Sequence, residues 1–593
     1  MTALLTDNLP LLAGAPNGIK KLRELILELA VRGKLVPQDS NDGQASDWLG
    51  RIEIEKARLL EAGLLKKTKK VTDVELDFGI AKVPSSWGWV TLSDITLGMD
   101  SGWSPACESN SSPNNDVWGV LKTTAVQVMQ FLQEENKELP AHLEPRSDAE
   151  VKAGDILFTR AGPTNRVGIS CLVESTRPRL MISDKIIRFH PIEAGTYGRY
   201  IALCLNAGST ARYLEIAKSG MAASQVNISQ EKLKLAPIPL APLPEQHRIV
   251  AKVDELMALC DRLEAQQADA ASAHVQLVQA LLDSLIQEAS DTADLTAKDG
   301  GNAENAGAIF GLASWQRLAE HFHTLFTTEP SIDALKQALL QLAVMGKLVP
   351  QDPNDEPASE LLKRIAEEKA RLVAEGKLKK QKPLAEIAEV EKSFELPENW
   401  EWVRLEEIAQ VGTGATPLRT NLKYFEPATI NWVTSGETSQ DHIHETEQKV
   451  SPLALTETNL TVYPPHTLVI AMYGQGKTRG QISELLIDAC TNQACAAIQL
   501  FDQGESHRRY VKYFFVKSYD DIRLLAAGGA QPNLNLGKIK ETVLPLPPLA
   551  EQHRIVAKVD QLMALCNQLK ARLSQARQLN EQLASTLVEQ AVA

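Results

Sequence analysis

Apolar residues near the start of the chain fall in a helical rhythm. Leu22, Leu25, Ile26, Leu29 and Ala30 line one face, the stripe of an amphipathic helix. Gly33 ends it and Pro37 blocks an early restart. Leu335, Ala338, Leu339, Leu342 and Ala343, ended by Gly346, repeat the arrangement. Longer rhythms follow two proline-rich stretches, 237–244 and 545–548. Proline is tolerated in the first turn of a helix and not inside it, so each stretch predicts a helix beginning there. Ile249, Val253, Leu256, Cys260 and Leu263 alternate steps of four and three, as do Ile555, Val559, Leu562, Cys566 and Leu569. That alternation predicts a coiled-coil seam on helices of about 40–45 residues, or about 60–70 Å. The cysteines on the seam read as packing residues. Elsewhere the pattern shortens. DILFT (155–159) and LVIAMY (468–473) read as buried strands, each followed by a glycine-containing turn.

The chain repeats itself. LRELILELAVRGKLVPQD at 22–39 matches LKQALLQLAVMGKLVPQD at 335–352, an offset of 313. Trp87 and Trp89 match Trp400 and Trp402 at the same offset. EQHRIVAKVDELMALCDRLEA at 245–265 and EQHRIVAKVDQLMALCNQLKA at 551–571 are identical at 17 of 21 positions. Here the offset is 306, so the first intervening segment is longer by 313 − 306 = 7 residues. Between the shared blocks the copies diverge over about 150 residues each, one domain in size. A duplicated frame carrying two unlike inserts implies one task done twice on two targets.

The division that follows is an N-terminal arm (1–18), a helical shared region (19–83), an insert (84–240) and a central helix (241–290). A polar, glycine-containing linker (291–330) comes next, with a short helix in its second half. Then follow the second shared region (331–396), the second insert (397–547) and a C-terminal helix (548–593). The Trp pairs are expected to anchor each insert to the frame.

Composition narrows the function. Lys plus Arg is 62 and Asp plus Glu 75, a net charge of −13, which excludes a uniformly basic nucleic-acid coat and leaves local basic patches. Seven cysteines show no CxxC or Cys/His spacing, so no metal site is expected and reduced thiols in the cytoplasm are. No run reaches the ~20 apolar residues of a membrane span, and the first residues lack the basic segment of a signal peptide.

Three motifs come close to known chemistry. Ala471 to Thr478 (AMYGQGKT) satisfies a relaxed phosphate-loop pattern, which needs a strand before it and a helix after it. A P-loop-like ATP-binding protein centred on Lys477 is therefore one alternative, and a coiled-coil scaffold without sequence preference is another. Tyr463-Pro-Pro-His466 lacks the Asp or Asn and the aromatic of an amino-methyltransferase site. His442-Ile-His444 has no third ligand nearby, and His247 and His553 read as helix-start residues bonding their neighbours. No catalytic residue is assigned. The lysine clusters at 66–70 and 377–382 read as solvated turns or phosphate contacts without sequence choice.

The glycine-containing turns offer better candidates. Arg160, Asn165 and Arg166 in one, and Tyr473, Gln475, Lys477 and Arg479 in the other, carry the guanidinium, amine and amide groups that bond base edges and phosphates. Lys122 and Ser435 complete the choice. Near each insert's end, Ser224, Gln225 and Asn227, with Gln531 and Asn533, are candidates for backbone contact.

GKLVPQD with its preceding helix, the proline-led EQHRIVAKVD block, and the duplication around divergent inserts resemble specificity subunits of type I restriction-modification systems. The resemblance covers nearly the whole chain. It implies an α+β fold of two pseudo-repeat halves, each an α/β target recognition domain joined to long helices forming an antiparallel coiled coil. It implies a non-catalytic chain whose two domains read the halves of a split, asymmetric site in double-stranded DNA. The seam residues Ile249, Val253, Leu256, Leu263, Ile555, Val559, Leu562 and Leu569 would shape the helical frame that docks two adenine-N6 methyltransferase subunits. Restriction subunits, with translocase and nuclease activity, would join through these. S-adenosylmethionine, ATP and Mg would belong to the partners, with no cofactor in this chain.

Overall fold

The computed structural model describes residues 9–63, 81–107, 109–298, 320–379, 384–474, 477–527 and 534–592. Chain contacts divide it into two units, Met1–Ala270 with Ala576–Ala593, and Ala271–Gln575. Each is a mixture of helices and mainly antiparallel strands.

In the first unit the LRELILELAV stripe forms α1 (Gly18–Val31). Gly33 ends it at φ 67°, the left-handed backbone that glycine adopts without penalty. A Cβ there would stand 2.4 Å from the Pro84 ring, so the glycine also admits the start of the insert. Gly346 repeats this with φ 71° and 2.6 Å from Pro397. Helix α2 (Ala45–Glu61) follows. The insert's two ends are zipped together, because β1 (Gly88–Thr91) pairs antiparallel with β9 (Pro237–Leu240). Inside it, a four-stranded antiparallel sheet runs β2 (Asp100–Ser101), β6 (Ile186–Phe189), β3 (Ile156–Thr159), β5 (Ser170–Leu172). Helices α3 (Gly198–Asn206) and α4 (Gly208–Ala217) join this sheet to the main core.

The second unit repeats the plan with α6 (Glu329–Val344) and α7 (Ala358–Ala374). Its zipper is β10 (Glu401–Arg404) on β16 (Val543–Leu546). Its sheet has five strands, ordered β11 (Ala409–Thr413), β15 (Cys495–Leu500), β13 (Leu468–Ala471), β14 (Ile482–Leu485), β12 (His442–Ile443). The last pair is parallel. Helices α8 (Glu505–Lys517) and α9 (Tyr519–Ala527) follow the sheet.

The proline-led helices are α5 (Leu243–Lys298, 56 residues) and α10 (Leu549–Val592, 44 residues). Helix α5 outruns the expected length and extends eight residues into the span read as linker. Among the described residues, the rest of that span holds a short helix, Phe322–Leu325, and the first two residues of α6. The N-terminal arm holds a short helix of its own. Leu9–Gly14 is helical, with Leu12 buried in the core.

The seams are real, but their partner is not simply the other long helix. Ile249, Val253, Leu256 and Cys260 share a core with Leu22, Leu25, Ile26 and Leu29 of α1 and with Ala584 and Ala591 of α10; Leu263 packs at its edge. In the second unit, Ile555 and Val559 pack with Leu340 and Ala343 of α6. Cys566, flanked by Leu562 and Leu569, packs with Leu335 and Leu339 and with Val278 and Leu282 of α5. Each core thus combines three helices, the start of one long helix, the end of the other and the shared-region helix. Within each unit the beginning of one long helix lies beside the end of the other. Lys21 to Ser585 Oγ (2.6 Å) and Arg23 to Asp261 (2.7 Å) border the first core; Lys570 to Asp333 (2.9 Å) borders the second.

The EQHR blocks pin insert to frame through the same bonds twice. The Glu245 carboxylate accepts the Trp87 indole N–H at 2.9 Å and a bond from Gln38. Glu551 accepts Trp400 Nε1 at 2.8 Å and Gln351 at 2.6 Å. Burial pushes both carboxyls above the ordinary glutamate value, and these donors pull back without cancelling it. Arg248 grips Asp42 with two bonds and Arg554 grips Asp355 likewise. The buried Gln246 and Gln552 amides each donate to a carbonyl five residues back and bond the insert, at Gly195 and Tyr197 or at His507. His247 stacks on Tyr197 and His553 meets Ser506, contacts to the inserts rather than to neighbours at the helix start. The motif is a joint between domains.

Candidate nucleic-acid interface

In the first unit two segments far apart in sequence meet. After β3 the chain enters β4 (Ala161–Gly162), which pairs with β8 (Gln225–Asn227), and β8 pairs with β7 (Ser219–Ala222). The turn carrying Arg160, Asn165 and Arg166 therefore shares one small sheet with the hairpin carrying Ser224, Gln225 and Asn227. Thr164 fastens them, donating from its amide and its hydroxyl to the Ala223 carbonyl at 2.8 and 2.9 Å. Lys218 Nζ bonds the Thr164 carbonyl at 2.9 Å. Asn165, Ser224, Gln225 and Asn227 are exposed. Asn227 accepts from Ser219. Among the described residues the side chains of Asn165, Ser224 and Gln225 have no hydrogen bond, so their donors and acceptors face solvent.

The two arginines of the turn differ. Arg166 spends its guanidinium inward, on the carbonyls of Thr123 and Val126 (both 2.8 Å) and on Gln127. It holds the turn. Arg160 makes no side-chain hydrogen bond or ion pair among the described residues, and its Nε, like that of Arg166, is buried without an acceptor. Lys122 lies near Glu135, at 3.7 Å.

In the second unit the loop 472–480 joins β13 to β14, which pair antiparallel with Ile470 opposite Ile482. A strand follows Lys477, not a helix. The phosphate-loop alternative fails here, because that motif cradles phosphates at the N-terminus of a following helix. Tyr473 and Lys477 are exposed and Arg479 is half-buried. The loop is braced from behind by α9. Tyr519 Oη donates to the Lys477 carbonyl at 2.5 Å and Arg523 to the Arg479 carbonyl at 3.0 Å. Ser435 sits on a separate turn whose carbonyl accepts from Thr438. Gln475, Gln531 and Asn533 lie outside the described residues. Among the described residues no group of His, Cys, Asp or Glu is placed to hold a metal, and no helix is long and apolar enough to cross a membrane.

A family model, the type I restriction modification DNA specificity domain, matches residues 127–271 and 397–576. Both segments take in a solvent-facing turn and the joint that follows it. The type I restriction enzyme EcoAI specificity subunit of Escherichia coli is 36% identical over 603 aligned positions, covering 97% of this chain and 94% of that one. The chain belongs to the type I restriction-modification specificity subunit family. The EcoEI specificity subunit of Escherichia coli is 50% identical over 268 residues, 45% of each chain. The HsdS subunit of Thermoanaerobacter tengcongensis aligns over 87% of this chain and 98% of its own, with 18% identity and a TM-score of 0.40.

The residues that place these two loops are as much part of the candidate site as those that face outward, and the sequence did not reveal them. Lys218, Tyr519 and Arg523 act on loop carbonyls from 40 to 60 residues away, a relation no local pattern carries. Arg160 and Arg166 should separate on mutation. Arg166→Ala leaves two carbonyls without their donor and should cost about 1–3 kcal/mol of stability. Arg160→Ala should leave stability within about 0.5 kcal/mol and weaken DNA binding. Thermal melts and a duplex titration on both variants check this; equal melting losses would show that Arg160 is structural too.

Proposed function

We propose that the two inserts are target recognition domains that read the two halves of a split, asymmetric site in double-stranded DNA. Each unit presents a turn bearing uncommitted or solvent-facing polar side chains, and the two sets are unlike in sequence and in strand order. The duplicated joint is what carries the reading, because it holds two different readers in one way. A protein with twofold repetition offers matching surfaces to two copies of one partner, so the helical frame docks two adenine-N6 methyltransferase subunits and, through them, restriction subunits. Chemistry lies with those partners, which bind S-adenosylmethionine, ATP and Mg. They also supply phosphate contacts that an acidic chain provides sparsely. The complex works in the cytoplasm.

The test is a methylome. The chain is co-expressed with its modification subunit in a host without adenine methylation, and N6-methyladenine is mapped. Two short motifs at constant spacing are expected. Methylation without a split motif, or a complex that methylates nothing, would bring the coiled-coil scaffold forward instead.

A further inference from the structure

Where the four-stranded sheet of the first unit gives way to its small sheet, an arginine and a lysine occupy facing backbone positions. Thr159 faces Ile186 across the ladder of β3 and β6. Just past the last ladder pair, the Arg160 N–H donates to the Lys185 carbonyl at 2.8 Å, which sets these two residues opposite each other. Residues opposed across antiparallel strands project from the same face, and like charges placed there repel. A folded chain ordinarily sets a carboxylate against such a pair. Neither side chain has an ion pair or hydrogen bond among the described residues. The neighbouring carboxylate, Asp184, is bonded to Ser104 instead. Arg160 adds a buried Nε with no acceptor, while Lys185 is exposed. Two adjacent positive groups and a buried donor lacking an acceptor together describe an anion position.

We infer that Arg160 and Lys185 form a clamp for a backbone phosphate of DNA beside the half-site read by the first unit; this rests on the DNA-reading proposal above. A phosphate between them would relieve their repulsion and give the buried Nε its acceptor. Phosphate contacts fix register and carry no base choice. The clamp adjoins the small sheet bearing Asn165, Ser224 and Gln225, so it would set where their side chains meet base edges. It is confined to one unit. The same ladder position in the second unit holds Met472 and Ala494, joined by the Met472 N–H to the Ala494 carbonyl at 2.7 Å.

The test uses the full chain with its modification subunits on a duplex carrying the methylated motif, titrated across a salt series. Lys185→Ala should bind the cognate duplex and single-mismatch duplexes more weakly by a common factor. Its plot of log affinity against log salt should be shallower by about one. The advantage of the parent protein would then shrink ~fourfold between about 50 and 200 mM salt. Lys185→Arg should keep the parent's slope. An unchanged affinity and slope in Lys185→Ala overturns the clamp, and so does a loss confined to the cognate duplex, which would make Lys185 a base reader. A split methylation motif alongside an unchanged slope rejects the clamp alone, whereas the absence of any split motif rejects the reading beneath it.

Discussion

Replacing residues 85–235 with the corresponding insert of another specificity subunit should change one half of the methylated motif completely and leave the other half unchanged. The expectation follows from how strictly the polar contacts between insert and frame recur. Trp87 to Glu245, Arg199 to Asp254 (2.6 Å) and Tyr200 to the Pro239 carbonyl in the first unit are matched by Trp400 to Glu551, Arg509 to Asp560 (2.6 Å) and Tyr510 to the Pro545 carbonyl in the second. Two inserts with little sequence in common already use these contacts in one chain. An incoming insert with its own Trp, Arg and Tyr at these places meets the same Glu245 and Asp254 of the frame and the same Pro239 at the retained end of the insert. The readout is again mapped N6-methyladenine. A change in both halves would mean that the inserts do not read independently, and no change would place recognition elsewhere.

Trp400→Ala should be among the most destabilising single substitutions in the second unit, costing about 3–5 kcal/mol. The indole is 5% exposed and packs edge-on to Tyr510 in the core that holds Ile555 and Val559. Its removal opens a cavity and withdraws a donor from Glu551, a carboxylate already disfavoured by burial. Trp402, two residues on, is the internal control. It is half-buried against Phe394, so Trp402→Ala should cost clearly less. Urea unfolding followed by circular dichroism gives both values. Equal losses, or a Trp400→Ala penalty below about 1 kcal/mol, would contradict the joint described for EQHR.

How far the sequence carried the reading can be judged from these residues. The frame was legible because it is written twice; identical spacing of Gly, Trp and EQHR in two copies needs no structure to be noticed. The seam period identified the long helices but not the number of their partners, since Ile249 and Val253 present the same heptad face to one neighbour or to two. The turn and the late hairpin were legible as separate candidates. Their meeting was not, because it depends on the pairing of Ala161 and Gly162 with Asn227 and Val226. Arg160 and Arg166 looked alike as two guanidinium groups on one turn. The inward partners of Arg166, at Thr123, Val126 and Gln127, distinguish them. Lys185 carried no signal at all, lying 25 positions from Arg160 and reaching it through a strand ladder.

The end of α10 belongs to the first unit, where Ala584 and Ala591 complete the core built on α1. During translation, residues 576–592 leave the ribosome only after the whole of 271–575 has been made. The first unit therefore waits, with part of the apolar face of α1 uncovered, while the second is synthesised. Chains that normally fold N-terminal part first would here depend on their last helical turns to seal their beginning. A nascent chain cut short within α10 would lose the packing of a domain begun hundreds of residues earlier.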